Sequence, residues 1–328
     1  MTSKLKKLLI GAATLALTAG AALAETVIIG HFGSPTPMQV ARAEGKFDAA
    51  TGWTIEWRQF GSGTEVIAAM ASGDVQVAEL GSSPLAIGTS QGLEIQLFMI
   101  AQSLGTAESL IAKAGSGITR IEDLKGKRIA VPVGSTAHYS LMGALTYAGI
   151  AETDVTIMNL PADQIAAAWD SGQVDAAFIW EPVQNQILQT GTFIVGADQT
   201  AAWGFPTFDG WVVNTEFATE NADAMVAFAK TMNEANMAYL ADPAAWTADS
   251  DPVKKIAEMT GAAPDQIPSI LKGFTFIPLA DQLGPTWLGG AAANMKTTAD
   301  FLVKAGRIDA AVDDYSGFVN TAIAEAAK

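Results

Sequence analysis

The chain has 328 residues, no cysteine and a formal net charge of −15 at pH 7. The lack of cysteine excludes disulfides and thiolate metal sites. The strong negative charge argues against a nucleic-acid partner and against an anionic membrane surface.

The first 24 residues have the pattern of a cleavable export signal. Three lysines at positions 4, 6 and 7 precede an apolar run over residues 8–22, and Ala22-Leu23-Ala24 has the small-x-small form that signal peptidase recognises. We expect cleavage after Ala24. A transmembrane anchor is the alternative, but the run is short and strand-like sequence follows it. No other stretch is long and apolar enough to span a bilayer, so no direct membrane insertion is expected.

Short apolar runs rich in β-branched residues alternate with helical patterns over the first 180 residues. Predicted strands cover residues 26–32, 53–60, 75–80, 95–101, 109–113, 128–133, 155–160 and 176–180. Predicted helices cover residues 36–46, 63–71, 84–91, 141–148 and 161–170. This alternation is typical of a parallel sheet with helices on both faces.

The second half of the chain reads differently. Residues 203–214 are aromatic-rich and extended, which favours a chain crossing between two lobes. Helices are predicted over residues 222–240, 286–304 and 315–327. We therefore expect a discontinuous first lobe, residues 25–112 plus 214–328, and a second lobe over residues 113–213.

The patterns expected of an enzyme are sparse. The sequence has no Gly-x-Ser-x-Gly elbow, no His-x-x-x-His pair and no Walker-type lysine loop. Of the two histidines, His31 lies on a predicted buried strand and is expected to be a core residue, whereas His138 lies in a turn and is a candidate ligand-binding residue.

The segment Ser82-Ser83-Pro84 joins a predicted strand to a predicted helix. Ser83 suits the N-cap and Pro84 the first helical position. Free amides and the positive end of the helix dipole would then face an anion. The segment Gly134-Ser135-Thr136 repeats this arrangement. Because the predicted cleft loops 81–91, 134–140 and 203–213 contain no lysine or arginine, their neutral donors suit a sulfonate or sulfate.

Asp209 lies within an aromatic group that could form the walls of such a site, namely Trp180, Trp203, Phe205, Phe208 and Trp211. We expect two or three of these five side chains to be core instead. An unpaired carboxylate among them would be costly, so a ligand cation is a plausible partner for Asp209. Together with the anion site, this indicates a small zwitterion with an anionic head and an amine.

The chain resembles the periplasmic taurine-binding proteins, the solute-binding subunits of taurine ABC importers, within the wider nitrate, sulfonate and bicarbonate binding group. The resemblance spans the whole mature chain and rests on the order and spacing of several short motifs. These are AMASGDVQVAELGSSPL at 69–85, GKRIAVPV at 126–133, STAHYSL at 135–141, WGFPTFDGWVV at 203–213 and DDYS at 313–316.

The resemblance implies an α/β type II periplasmic binding protein fold, with two doubly wound lobes joined by a two-strand hinge that closes on ligand. It implies a periplasmic, non-enzymatic monomer that needs no cofactor or metal and delivers taurine or a related sulfonate to an inner-membrane ABC permease. The alternatives are another alkanesulfonate or small oxyanion as ligand, or a secreted enzyme that reuses the fold.

Carried over to this sequence, the resemblance places Ser83 and Thr136 on the sulfonate from opposite lobes, with Ser82 and His138 near it. Asp209 takes the ammonium and Trp180 packs on the ethylene carbons. Ser34 is a further candidate. Glu181 departs from the pattern, because the taurine-binding relatives have a small residue there. It is either a second amine partner or a hinge residue that points away.

Overall fold

A computed structural model describes residues 26–328 of the chain. The predicted export signal, residues 1–24, lies outside the described residues. Ten strands form two five-stranded sheets, and helices pack around both. The predicted α/β fold of two doubly wound lobes is therefore confirmed. No helix within residues 26–328 is long and apolar enough to cross a bilayer.

The first sheet has the strand order β2-β1-β3-β10-β4. Its strands are β1 (Thr26–His31), β2 (Thr54–Gln59), β3 (Val77–Gly81), β4 (Ile95–Ser103) and β10 (Phe208–Asn214). β1 runs parallel to both β2 and β3, whereas β10 runs antiparallel to both β3 and β4.

The second sheet has the order β7-β6-β8-β5-β9. Its strands are β5 (Glu108–Lys113), β6 (Arg128–Val131), β7 (Thr156–Asn159), β8 (Ala176–Trp180) and β9 (Gly191–Gly196). β6 runs parallel to β7 and β8, and β5 runs antiparallel to β8 and β9. Both sheets are thus mixed: the expected parallel pairing occurs around β1 and β6, but not at β5 and β10. The antiparallel strands β5 and β10 are the two that directly follow a chain crossing.

The chain passes between the sheets at residues 104–107 and again at residues 203–207. All of β5 belongs to the second sheet and all of β10 to the first. The sheets therefore divide the chain about five residues before the boundaries expected at 112/113 and 213/214. A strand's apolar pattern shows that it is a strand, but sheet membership depends on pairing with distant segments.

Fifteen helices surround the sheets within the described residues. They are α1 (Met38–Ala43), α2 (Lys46–Thr51), α3 (Gly63–Ala71), α4 (Ser82–Ser90), α5 (Thr136–Tyr147), α6 (Ala162–Asp170), α7 (Val183–Leu188), α8 (Ala197–Ala202), α9 (Thr215–Glu220), α10 (Ala222–Ala241), α11 (Asp251–Thr260), α12 (Ile267–Gly273), α13 (Leu279–Gln282), α14 (Ala291–Lys304) and α15 (Thr321–Ala327). Short 3-10 turns occur at 105–107, 121–124, 152–154, 243–245, 288–290 and 316–318.

Several helices differ from the sequence prediction. The helix predicted over 36–46 is shorter in the structure, where α1 covers Met38–Ala43. Gly45 adopts the left-handed conformation with φ of 64° and separates α1 from α2, which begins at Lys46. The segment that forms α7, β9 and α8 had no prediction. Helix α4 begins at Ser82 with Gly81 as its N-cap, so Ser83 is not the cap and Pro84 is not the first helical residue. β3 runs to Gly81 and leads directly into α4, which places the helix start two residues earlier.

The largest core packs around the first sheet and includes helices α4, α10, α14 and α15, while separate cores cover the two faces of the second sheet. A further core joins α11 and α12 to the first crossing, where Leu104 and Ala107 contact this helical unit. Phe274, the residue after α12, belongs to the same core and also lines the space between the lobes. Helices α11 and α12, with Phe274, therefore connect the first crossing to the space between the lobes.

An aromatic cluster supports the second crossing. Phe205 contacts Tyr139 of α5 at 5.2 Å and Phe301 of α14 at 5.6 Å between ring centroids. Phe205 lies flush against Gly143 of α5, where an added Cβ would come within 2.6 Å of the Phe205 Cγ. Because the near atoms include Cβ of Phe205, relieving the clash requires movement of the crossing itself.

Replacing Gly143 with alanine is expected to destabilise the protein by about 1–3 kcal/mol, the usual cost of overpacking a core. A loss of stability would be informative, since alanine inside a helix is otherwise about 1 kcal/mol more favourable than glycine. The free energy of unfolding from urea titration measures the difference.

The matched control is Gly317→Ala, because no atom lies within 4 Å of the position of its Cβ. That variant should unfold close to the wild-type midpoint. If Gly143→Ala is as stable as wild type or more stable, Phe205 does not hold the crossing against α5.

Candidate functional site

A cleft opens between the two sheets, next to both crossings. Five residues that the sequence predicts as ligand contacts line it, namely Ser34, Thr136, Trp180, Glu181 and Asp209. Three further lining residues, Gly81, Pro84 and Ser135, belong to the predicted cleft loops. The remaining lining residues were not predicted: Phe32, Gly63, Leu104, Glu108 and Phe274. Both lobes therefore contribute to one lining.

The N-termini of α4 and α5 meet in this cleft. A Cβ added at Gly81, the N-cap of α4, would lie 2.9 Å from the Cγ2 of Thr136, the first residue of α5. The side chain of Ser135 accepts a hydrogen bond from the His138 amide at 3.2 Å, whereas no side chain caps α4. The free amides and positive dipole ends of two helices thus face one small space.

Ser82, Ser83 and His138 are fully buried in the first turns of these helices and are not part of the cleft lining. The Ser82 Oγ accepts a hydrogen bond from the Phe208 amide at 3.4 Å. The Ser83 Oγ and the His138 Nε2 are buried with no hydrogen-bond partner. Buried polar atoms are normally paired, so these two mark donors that the protein itself does not use.

His138 is neutral near pH 7. Burial, assisted by the positive charge of Arg307, lowers the pKa of its imidazole to about 4. Its Nδ1 accepts the Gly134 amide at 3.4 Å, and this contact assigns the ring hydrogen to Nε2. The unpaired Nε2 atom is therefore an N–H donor.

Asp209 carries the carboxylate that the sequence predicts for a cation. It lies on β10 opposite Gly81 of β3, and its Oδ2 accepts a hydrogen bond from Gln102 Nε2 at 3.0 Å. The same Gln102 nitrogen donates to Oε1 of the buried Glu79 at 3.0 Å. Burial, followed by the negative charges of Glu79 and Glu108, raises the pKa of the Asp209 carboxyl well above its usual range.

Glu108 is a fully buried cleft residue that the sequence analysis missed. Its carboxylate accepts hydrogen bonds from the hydroxyls of Thr136 at 2.5 Å, Ser140 at 3.0 Å and Thr207 at 3.2 Å. Burial raises the pKa of Glu108 to about 7, against the opposing effect of these three donors. A glutamate at the start of a buried strand, just after a chain crossing, is the pattern that could have identified it.

Glu181 and Trp180 close the end of β8. The Glu181 side chain faces the cleft, and its Oε2 accepts the Asn185 amide at 3.2 Å. Burial raises the pKa of its carboxyl to about 7. Of the five aromatic side chains considered for the walls, only Trp180 lines the cleft.

The other four aromatic side chains have structural positions. Trp211 and Phe208 belong to the core of the first sheet, and Phe205 supports the second crossing. Trp203 stacks on Tyr147 with ring centroids 3.9 Å apart. His31 is buried, as expected of a core residue, and its Nδ1 accepts the Gly33 amide at 2.9 Å.

The ionisable side chains that line the cleft are all acidic. Three carboxyls line it, those of Glu108, Glu181 and Asp209, and none of its lining residues is a lysine or arginine. The described part of the chain, residues 26–328, contains no cluster of side chains suited to hold a metal ion. An anion in this cleft would depend on helix amides, hydroxyls and an imidazole, and a cation would meet carboxyls.

Two α/β lobes that are joined by two chain crossings and enclose a cleft form a two-lobed fold of the periplasmic binding protein type. Residues 34–246 match the family described as NMT1/THI5 like. The chain is also 38% identical over 309 residues to the taurine-binding periplasmic protein of Escherichia coli strain K12, an alignment that covers 94% of this chain and 96% of that protein. The chain therefore belongs to the NMT1/THI5-like family.

Other similar proteins agree with this assignment. A putative aliphatic sulfonates-binding protein of Bacillus subtilis strain 168 is 30% identical over 63% of each chain. The structure of the alkanesulfonate-binding protein SsuA from Xanthomonas axonopodis pv. citri, bound to MOPS, superposes with a TM-score of 0.77 at 21% identity and covers 91% of this chain and 99% of that one. At that identity the superposition shows the shared fold.

The fold also occurs in an enzyme. The structure of the desulfurization enzyme DSZB superposes with a TM-score of 0.67 at 15% identity, over 92% of this chain and 98% of that one. The fold by itself therefore does not separate binding from catalysis.

Replacing Glu181 with glutamine is expected to stabilise the ligand-free protein at pH 8 by about 1–3 kcal/mol. The folded-state pKa of about 7 lies above the value near 4.3 in an unfolded chain. The folded protein thus retains a proton that the unfolded chain releases, and the contribution of Glu181 to stability falls as pH rises between these values. The uncharged amide avoids that loss.

The gain should disappear near pH 4.5, where the carboxyl of the wild type is protonated in the folded protein. Urea titrations at pH 4.5, 6 and 8 measure it, with the exposed Glu94→Gln as a control that should show no such trend. An equal difference between Glu181→Gln and wild type at all three pH values would contradict the burial of this carboxyl.

Proposed function

We propose that this protein is a periplasmic receptor that captures taurine and delivers it to an inner-membrane ABC permease. The observation that carries the proposal is the cleft itself, in which two helix N-termini face buried carboxyls with no basic side chain in the lining. A ligand with a sulfonate at one end and an ammonium at the other complements both. The similarity to the taurine-binding protein of E. coli supports the same ligand.

The sulfonate is proposed to bind at the N-termini of α4 and α5. Its oxygens only accept hydrogen bonds, and this region offers free amides together with the unpaired Ser83 hydroxyl and His138 Nε2–H. Thr136 adds a hydroxyl from the opposite lobe, and Ser34 and Ser82 lie in or directly behind the lining. Fixed neutral donors bind an anion without a counter-charge, as helix N-termini do elsewhere.

The ammonium is proposed to bind Asp209. This carboxyl is buried beside two others, which makes its ionised form unfavourable in the empty cleft. A cation within about 4–6 Å stabilises the ionised form of a carboxyl and lowers its pKa. The ligand amine thus supplies the charge that the protein lacks. Glu181 also faces the cleft, which supports a role as a second amine partner.

Trp180 is proposed to pack on the two methylene groups between the charged ends. It lies at the end of β8, next to Glu181. An indole ring provides a flat apolar surface for such a short chain.

The two lobes are proposed to close on the ligand about the crossings at 104–107 and 203–207. Sheet membership supports these as the boundaries of the moving units. Glu108 and Asp209 lie within two residues of the crossings, so closure would change their distance from a ligand held by α4 and α5. We infer that the protein acts as a monomer and leaves the ligand chemically unchanged. Turnover of bound taurine would contradict this.

The Asp209→Asn variant is expected to weaken taurine binding by about 1.5–3 kcal/mol, the usual worth of a hydrogen bond to a charged group. The same variant should weaken the binding of isethionate, in which a hydroxyl replaces the ammonium, much less. Titration calorimetry of both ligands into wild type and variant measures the difference. In the wild type, taurine should bind at least about tenfold more tightly than isethionate, ethanesulfonate or nitrate.

The matched control is Ser83→Ala, which removes a hydroxyl at the proposed sulfonate end. It should weaken taurine and isethionate equally, by about 0.5–2 kcal/mol, because the helix amides remain. It should not lower stability, since the Ser83 hydroxyl has no partner within the protein. Equal affinity of the wild type for taurine and isethionate would show that the cleft does not recognise the amine.

A further inference from the structure

The carboxylate of Glu108 holds the hydroxyl of Thr136. Glu108 is the first residue of β5, and its Oε2 accepts from Thr136 Oγ1 while its Oε1 accepts from Ser140 and Thr207. Thr136 lines the cleft at the start of α5, whereas Ser140 lies one turn further along the helix and is not in the lining. Only Thr136 therefore faces both Glu108 and the space for a ligand.

The hydrogen count at Thr136 is restrictive. A hydroxyl has one hydrogen, and both an ionised carboxylate and a sulfonate can only accept. While Glu108 is ionised, the Thr136 hydroxyl donates its hydrogen to Glu108. Its oxygen then presents only lone pairs to an incoming anion. A protonated Glu108 reverses this bond, because its own O–H donates to Thr136 Oγ1. The Thr136 hydrogen is then free to donate to a ligand oxygen.

The groups around Glu108 favour its protonation when an anion enters. Asp209 on β10 faces it, with Glu79 on β3 behind Asp209 through Gln102, and Glu181 follows β8 at the neighbouring register position. On α5, His138 is neutral near pH 7. No positive side chain lines the cleft to offset these carboxyls. Burial already raises the pKa of Glu108 to about 7.

We propose that Glu108 determines ligand specificity by exchanging the Thr136 hydrogen bond between itself and the ligand, so that capture of an anion without an amine requires a proton on Glu108. The proposal rests on the proposed function. The proton comes from solvent and binds Glu108 as the anion enters. A zwitterion depends less on protonation of Glu108, since its ammonium compensates for the negative charge of ionised carboxyls. The cleft thereby discriminates increasingly against simple sulfonates as pH rises above neutral, while it retains taurine.

The first test is calorimetry of ethanesulfonate, which lacks the amine, between pH 5.5 and 8.5. In the wild type the affinity should fall roughly tenfold from pH 6 to pH 8, as expected when a group with a pKa near 7 must be protonated. Titrations in two buffers of different ionisation enthalpy should show net proton uptake with ethanesulfonate. Taurine should lose much less affinity over the same range.

The Glu108→Gln variant should bind ethanesulfonate at pH 8 about as well as the wild type does at pH 6. The amide is uncharged and its N–H donates to Thr136 Oγ1 in place of the carboxylic acid. In a Thr136→Val background the same substitution should have little effect. A gain of equal size in both backgrounds would show charge repulsion alone and would overturn the exchange of the hydrogen bond.

Ser140→Ala tests the proposal without changing a charge or the cleft lining. Removing this donor raises the pKa of Glu108 further, so the loss of ethanesulfonate affinity should persist and move to higher pH. An unshifted profile would contradict the role of Glu108, as would a pH-independent wild type.

If neither taurine nor ethanesulfonate binds at any pH, the proposed function itself fails. If both bind and the pH dependence survives in Glu108→Gln, only this inference fails.

Discussion

Two helix N-termini, which carry partial positive charge, share one small cleft with a group of buried carboxyls. The rest of the site depends on this arrangement. The amides of α4 and α5 attract negative charge, while Glu108, Glu181 and Asp209 repel it. In the empty protein, burial raises the pKa values of all three carboxyls, because their ionised forms are poorly solvated there. A zwitterion relieves both sides at once, whereas a simple anion or cation relieves only one.

The topology places the carboxyls where they can respond to closure. Glu108 directly follows the first crossing and Asp209 nearly directly follows the second, each at the start of an antiparallel strand. Gln102 ties Asp209 to Glu79 within the first sheet, while Thr207, in the second crossing, hydrogen-bonds Glu108 across to the second sheet. The chain segments that connect the lobes are thus also those that orient the charged groups.

Much of this arrangement could be predicted from the sequence. The alternation of strands and helices, the hydroxyl-rich turns before α4 and α5, and the isolated Asp209 are local patterns that indicate the fold and part of the cleft lining. Ser34 and Glu181, which also line the cleft, came from the family resemblance. The contacts of those residues with a ligand stay predictions. The cap at Ser83 and the helix continued across Gly45 were wrong, and the antiparallel pairing of β5 and β10 was not predicted. Each depends on the geometry of neighbouring segments.

Glu108 shows what sequence patterns do not reveal. Its role depends on hydroxyls at positions 136, 140 and 207, which only the folded chain brings together. Likewise, Trp211 and Trp180 have equal aromatic character in the sequence, yet one is core and the other lines the cleft. Burial and pairing between distant segments decide such cases, so they need the structure.

A crystal structure of the mature protein with taurine tests the central claim most directly. The account predicts sulfonate oxygens within about 3.2 Å of first-turn amides of α4 or α5, and the amine nitrogen at a similar distance from the Asp209 carboxylate. Taurine bound in the opposite orientation, with its sulfonate beside Asp209, or bound outside this cleft, would contradict it.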